Sequence, residues 1–186
     1  KDEGVISRAI DKSIVSLKTW QLREFSDNQY KNVDDKPYGG GAGMVMQVKP
    51  IRDCLSAIKE KSPNTKVIYL SPQGRKLNQA LVEELAELDS ITFLCGRYEG
   101  VDERVIENDV DMEVSIGDYV ISGGELAAMI LIDTISRRLP GVLGNESSLQ
   151  DSFTNNLLDH PHYTRPEIVD GQKAPEILLS GHKANI

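Results

Sequence analysis

Cysteine is scarce in this chain. Two residues, Cys54 and Cys95, stand far apart among 186 and form neither a metal-ligand spacing nor a disulfide framework. Both read as free, buried thiols of a reducing compartment. Long apolar runs are missing too. Nothing approaches the ~20 residues of a membrane span, and no signal sequence opens the chain, so the expected location is the cytoplasm, with no membrane partner. Positive charge is in deficit, with 21 Lys and Arg against 29 Asp and Glu and a net charge of −8. The pI of about 4.9 argues against a protein that coats nucleic acid through a basic surface, while leaving room for a nucleic-acid enzyme with a local basic site. Internal repeats and low-complexity tracts are absent. The most glycine-dense stretch, Tyr38-Gly39-Gly40-Gly41-Ala42-Gly43-Met44, has no Gly-Lys-Ser/Thr ending and no GxGxxG spacing. It reads as a flexible loop. An initiator methionine is absent before Lys1-Asp2-Glu3, and both ends are expected to be cuts in a longer protein.

A hydrophobic content of 39% with 27% charged residues suits one folded core, with room for a small second unit. Residues 5–14 have helical spacing, with Ile6, Ala9 and Ile10 on one face. Residues 14–20 alternate and predict a short strand, and 44–48 another. A helix is predicted over 50–61 with Pro50 at its start. Residues 66–70 (KVIYL) form a compact buried-strand run closed by Ser71-Pro72-Gln73-Gly74. Leu77, Leu81, Leu85 and Leu88 mark an amphipathic helix. Residues 91–95 (ITFLC) are a second buried strand, followed by Gly96-Arg97-Tyr98-Glu99-Gly100 and a short helix over 101–108.

The stretch 114–138 (VSIGDYVISGGELAAMILIDTISRR) begins as a β-prone run, turns at Ser122-Gly123-Gly124 and enters the most apolar segment of the chain. Ser122 and Glu125 have the spacing of a capping box. The two glycines either expose bare backbone to a ligand or permit close helix–strand packing. Residues 144–150 read as a linker and 151–158 as a short capped helix. The remainder is proline-punctuated and mostly irregular. Strands alternating with helices predict an α/β layer with a mostly parallel sheet. The turns after Leu70, Cys95 and Ile121 should gather at one edge of it, where ligands of open α/β sheets bind.

These turns carry a resemblance. Tyr69-Leu70-Ser71-Pro72-Gln73-Gly74, Cys95 through Arg104 (CGRYEGVDER), Ser115-Ile116-Gly117-Asp118-Tyr119-Val120 and Ser122-Gly123-Gly124-Glu125-Leu126 resemble the bacterial tRNA (guanine-N1) methyltransferase family. Val33-Asp34-Asp35, Pro37-Tyr38-Gly39-Gly40-Gly41 and His162-Tyr163-Thr164-Arg165-Pro166 resemble it as well. The likeness runs from about Gly4 to the end. Ser180-Gly181-His182-Lys183 departs from it, lacking the family's asparagine before the histidine. The resemblance implies the SPOUT class, an α/β fold whose mostly parallel sheet carries a deep trefoil knot, and a homodimer with the active site at the subunit interface. It implies a knotted donor-binding catalytic domain over 1–143 lacking its first strand, a linker over 144–150, and the start of a truncated helical tRNA-binding domain over 151–186.

It further implies S-adenosylmethionine as methyl donor and tRNA as substrate, with N1 of the guanine immediately 3′ of the anticodon as target. Donor-binding positions map onto Tyr69, Leu70, Ser71, Pro72, Gly96, Tyr98, Glu99, Gly100, Ser115, Ile116, Gly117, Asp118, Tyr119, Val120, Ile121, Gly123 and Gly124. Guanine N1 carries a proton and needs a carboxylate to remove it, and charge then builds on O6, where a cation helps. The family's base maps to Asp151 and its cation to Arg137. Read without the resemblance, Asp151 is a helix N-cap and Arg137 complements a helix dipole. Glu99 is a candidate for the donor's amino group or for Mg2+. Asp159, His160 and His162 could mimic a metal cluster, but three ligands in one linker without a partner elsewhere argue against a metal there. Lys36, Arg75, Lys76, Arg97, Arg104 and Arg165 are candidate phosphate contacts. Two other readings compete: a SPOUT RNA methyltransferase with a different base or sugar target, of which Asp151 speaks against ribose methylation, and a non-catalytic nucleotide- or RNA-binding module, against which Arg137 and Asp151 together speak.

Overall fold

The computed structural model describes residues 4–144, 152–153 and 157–182. The chain divides into two compact units, Lys1–Leu149 and Gln150–Ile186.

The first unit is built on a run of residues apolar on both sides. Strand β3 follows helix α1 (Val5–Asp11), a 3-10 turn at Leu22–Phe25, the two-residue strands β1 (Asp34–Asp35) and β2 (Val45–Met46), and helix α2 (Val48–Lys61). It spans Lys66–Lys76 and is followed by α3 (Gln79–Ala86), β4 (Ile91–Cys95), α4 (Glu103–Asp109), β5 (Met112–Ser115) and α5 (Glu125–Ser136). The sheet order is β4-β3-β5, and both pairings are parallel. A central parallel strand is covered on both faces, and β3 divides its side chains accordingly. Val67 and Tyr69 join Ile51, Leu55 and Ile58 of α2 and Val105 of α4. Ile68 and Leu70 join Leu81 and Leu85 of α3 and Ala127, Ala128 and Leu131 of α5. The α/β layer with a parallel sheet is as predicted, and helices cover the sheet on both faces.

Several local expectations are corrected. Residues 14–20 form no strand. A strand needs a ladder partner; instead Ser13 adopts a positive φ of 57°, and the amides of Ile14 and Val15 turn back to donate to Ala9 O at 2.9 and 3.2 Å. The predicted turn at residues 71–74 does not end β3. Leu70 and Arg75 both pair with Val114, so the chain bulges between them and returns to the same partner. Gly74 makes this possible, because a Cβ there would lie inside the Glu113–Val114 peptide. The third strand ends at Ser115 rather than running on toward Ile121. Ser115 Oγ both donates to Gly117 O at 3.1 Å and accepts from Gly117 N at 3.2 Å, curling the chain out of the ladder. The glycine-dense stretch is a loop, as expected, with Gly39, Gly40, Gly41 and Gly43 at positive φ.

The capping box at Ser122 does not form. Gly124 is the N-cap of α5 and no side chain caps the helix. Glu125 is therefore the first helical residue and not the third, as a capping box needs, and its Oε1 accepts from Arg97 Nε at 2.8 Å instead. Side-chain caps form elsewhere, at α3 and α4. Asn78 Oδ1 accepts from Leu81 N at 2.9 Å at the start of α3, and Asp102 Oδ1 accepts from Arg104 N at 3.0 Å at the start of α4.

The second unit contains a small hairpin, β6 (Ile168–Val169) with antiparallel β7 (Gln172–Lys173), and a short helix α6 (Glu176–Leu179). The helix predicted over 151–158 lies largely outside the described residues, as does most of the 144–150 linker.

Candidate active site

The carboxyl ends of the three parallel strands converge, and backbone groups stitch them together. Gly124 N donates to Gly96 O at 2.9 Å, joining the turn after β4 to the start of α5. Leu77 N donates to Ser115 O at 2.8 Å, joining the far side of the β3 bulge to the end of β5. Lys76 Nζ reaches Asp118 Oδ2 at 2.7 Å across the same seam. The β3 bulge and the two turns that follow β4 and β5 therefore form one rim, running from Ser71 through Gly96 and Gly100 to Ser115–Gly124.

Glycine is required at several points on that rim. A Cβ on Gly96 would meet the Tyr69 ring at 2.9 Å, and one on Gly124 would meet Cys95 Cα at 2.7 Å and Gly96 N at 3.1 Å. Gly117 is covered by the Tyr119 ring, leaving no room for a side chain. The close-packing reading of Gly124 is thus correct, while the rim as a whole remains small-residue backbone of the kind that approaches a flat, polar ligand.

The candidate donor residues differ in what they present. Tyr69 and Leu70 are core side chains, 7% and 6% exposed, with the Tyr69 ring packed beneath Gly96 and Gly100 of the rim. Burial, then the nearby Glu113 carboxylate, pushes the Tyr69 phenol above its ordinary value. Ser71 is half-buried and Pro72 exposed. Tyr98 stands half-exposed at φ 60°, with Glu99 exposed beside it. Ser115 is buried, Ile116, Gly117 and Ile121 half-buried, and Asp118, Tyr119 and Val120 exposed. One buried polar atom lacks a partner among the described residues: Glu113 Oε2, on the strand position paired with Tyr69.

A neighbour was missed in the sequence. Glu99 N donates to Met44 O at 3.0 Å, and Met46 N to Gly100 O at 2.9 Å, so the glycine-dense loop runs against the Tyr98–Gly100 turn. Gly43 lies directly under the Glu99 side chain. Only the density of glycine hinted at this; the pairing joins residues more than fifty positions apart.

The basic residues near the rim are mostly engaged within the protein. Arg75 pairs with Glu84 at 2.7 Å, Arg97 with Glu125 at 2.8 Å, and Arg104 with Asp102 at 2.7 Å. Arg137 is the C-cap of α5 and half-buried, while Arg138 pairs with Glu83 at 3.1 Å. Asp151 lies outside the described residues. In the second unit, Asp159, His160 and His162 are exposed with ligand atoms within 4.8 Å of one another. Asp159 accepts from His162 Nε2 at 3.0 Å if that nitrogen is protonated, and that contact, followed by the His160 amide, holds its carboxyl below the ordinary range. Cys54 and Cys95 are free. Cys54 is buried and Cys95 half-buried.

A glycine-lined rim at the strand ends of a doubly covered parallel α/β unit stands where open α/β sheets receive their ligands. The family described as tRNA (Guanine-1)-methyltransferase TrmD matches residues 1–186, and the chain belongs to this enzyme family. It is 57% identical to the tRNA (guanine-N(1)-)-methyltransferase of Aliivibrio fischeri (strain MJ11), covering 100% of this chain and 75% of that one. It is 58% identical to the Shewanella woodyi (strain ATCC 51908 / MS32) protein of the same name, over the same shares. The solved tRNA (m1G37) methyltransferase of Aquifex aeolicus superposes with a TM-score of 0.82 at 44% identity, covering 97% of this chain and 76% of that one. Among the described residues no helix is long and apolar enough to cross a membrane.

Proposed function

We propose that the protein transfers a methyl group from S-adenosylmethionine to N1 of the guanine immediately 3′ of the anticodon in tRNA. The observation that carries this is the convergence of the β3 bulge and two strand-end turns into one glycine-lined rim, in a chain of the tRNA guanine methyltransferase family. The donor supplies an electrophilic methyl on a sulfonium, and the rim suits its adenosine part. Backbone of Leu70, Gly96, Gly100 and the 115–121 segment offers hydrogen bonds where side chains would obstruct, and exposed Tyr98 and Glu99 are placed to contact its outer portion, Glu99 being also the residue best suited to Mg2+.

In this reading Asp151 takes the N1 proton of guanine and Arg137 stabilises the charge on O6. The N1 lone pair forms the new N–C bond as the methyl–sulfur bond breaks, leaving S-adenosylhomocysteine. We further assign residues 1–143 to a SPOUT catalytic domain with a trefoil knot, 144–150 to a linker and 151–186 to tRNA binding. A homodimer is favoured by α5, a largely apolar helix whose Leu126 and Met129 are 61% and 62% exposed. An apolar face of that kind marks an interface.

The test is transfer of labelled methyl from S-adenosylmethionine to tRNA transcripts carrying guanine or adenine beside the anticodon. Labelling of the guanine transcript alone is expected; equal labelling would sink the assignment. Asp151→Ala should lose on the order of 10²–10⁴-fold in turnover while calorimetry shows donor binding retained.

A further inference from the structure

Two turns of the rim are joined not only through backbone but through one side-chain pair. Arg97, in the turn after β4, and Glu125, the first residue of α5, meet at 2.8 Å. The pair lies across Gly123: a Cβ there would fall 2.5 Å from Glu125 Oε2 and 2.7 Å from Arg97 Nε. Beneath it Gly124 N donates to Gly96 O. Both partners are about half exposed, so the pair adds little to global stability. It sits where the two walls of the rim meet, at the first residue of α5.

We infer that Arg97 and Glu125 form a clamp that holds the Gly96–Gly100 and 116–124 walls at the spacing the methyl donor needs. They are positioning residues, acting through the glycine backbone on either side. This rests on the donor-binding reading given above. The clamp predicts a split in the kinetics. Loss of either partner widens the rim and weakens donor capture, while chemistry at saturating donor proceeds on groups the pair does not touch.

The experiment uses the full-length enzyme with tRNA transcript, and titration calorimetry with S-adenosylmethionine. Arg97→Ala and Glu125→Ala are each expected to raise donor Kd and KM by about fivefold, the scale of a modest charge-assisted contact, with kcat held within about twofold. The double variant should bind no worse than either single one, and the charge swap R97E/E125R should recover part of the loss. A purely structural role would lower the unfolding temperature and leave Kd of the folded protein unchanged. If an alanine variant fails to fold, Glu125→Gln is read instead. It keeps the shape and an acceptor but removes the charge, and is expected to raise Kd by about half as much on a logarithmic scale. Unchanged Kd in the folded variants, or additive losses in the double variant, overturns the clamp. A wild-type enzyme that binds no donor overturns the functional reading instead, so the two failures are distinct.

Discussion

Replacing Gly124 by alanine isolates what holds the rim together. The residue has φ −71°, which any residue tolerates, so the effect is steric rather than conformational. The added Cβ meets Cys95 Cα at 2.7 Å and Gly96 N at 3.1 Å. These are backbone atoms of the junction between β4 and its turn and cannot swing aside as a side-chain tip would. Helix propensity gives no relief, since at an N-cap alanine ranks well below glycine. Overpacking of this kind costs roughly 1–3 kcal/mol. At about 2 kcal/mol the melting temperature of a chain this size falls by roughly 4–8 °C. Moving α5 off β4 also stretches the Gly124–Gly96 hydrogen bond, so donor affinity should fall along with stability. The control is Gly144→Ala, where nothing lies within 4 Å and the change should stay within about 0.5 kcal/mol. Urea unfolding and donor titration measure both variants. A Gly124→Ala protein as stable as the Gly144→Ala control would refute the argument that this glycine exists for packing.

Two further outcomes follow from the electrostatics. Asp102 accepts from Arg104 Nε at 2.8 Å and Nη2 at 2.7 Å; chiefly for that reason its carboxyl lies below the ordinary range. A depressed folded pKa gives stability that is present above the unfolded value of about 3.9 and lost as pH falls through the folded value. Asp102→Ala should therefore cost about 1 kcal/mol at pH 7, and the gap to wild type should close below about pH 4 in urea titrations. Burial pushes the thiols of Cys54 and Cys95 up to about 11. At pH 8 a thiol reagent should modify neither in the folded protein and both of the two cysteines after denaturation; rapid labelling of the native enzyme would contradict this.

Much of the scaffold was legible because it depends on local rules. KVIYL and ITFLC are short apolar runs bounded by turn residues, which favours strands over helices, and both strands start where the sequence placed them. The leucine spacing of α3 marked its buried face, though its start depended on Asn78 as cap. The order of the turns along the chain, together with the rule that ligands meet parallel sheets at strand ends, located the rim.

Tertiary structure decided the rest wherever two segments compete for one group. The run over 14–20 has strand alternation but no neighbouring strand among the described residues, and alternation without a ladder partner does not make a strand. Ser122 and Glu125 have capping-box spacing, yet Arg97, 28 positions away in sequence, takes the carboxylate. The bulge that returns β3 to Val114 depends on how closely Gly74 approaches another strand, and the docking of the glycine-dense loop on Glu99 depends on contacts more than fifty residues apart. The sequence by itself determined which segments are buried, which turns are small enough to line a site, and the family to which they belong. The fold decided which long-range partner each polar group and each glycine meets, because that choice depends on distances set only when the layers pack.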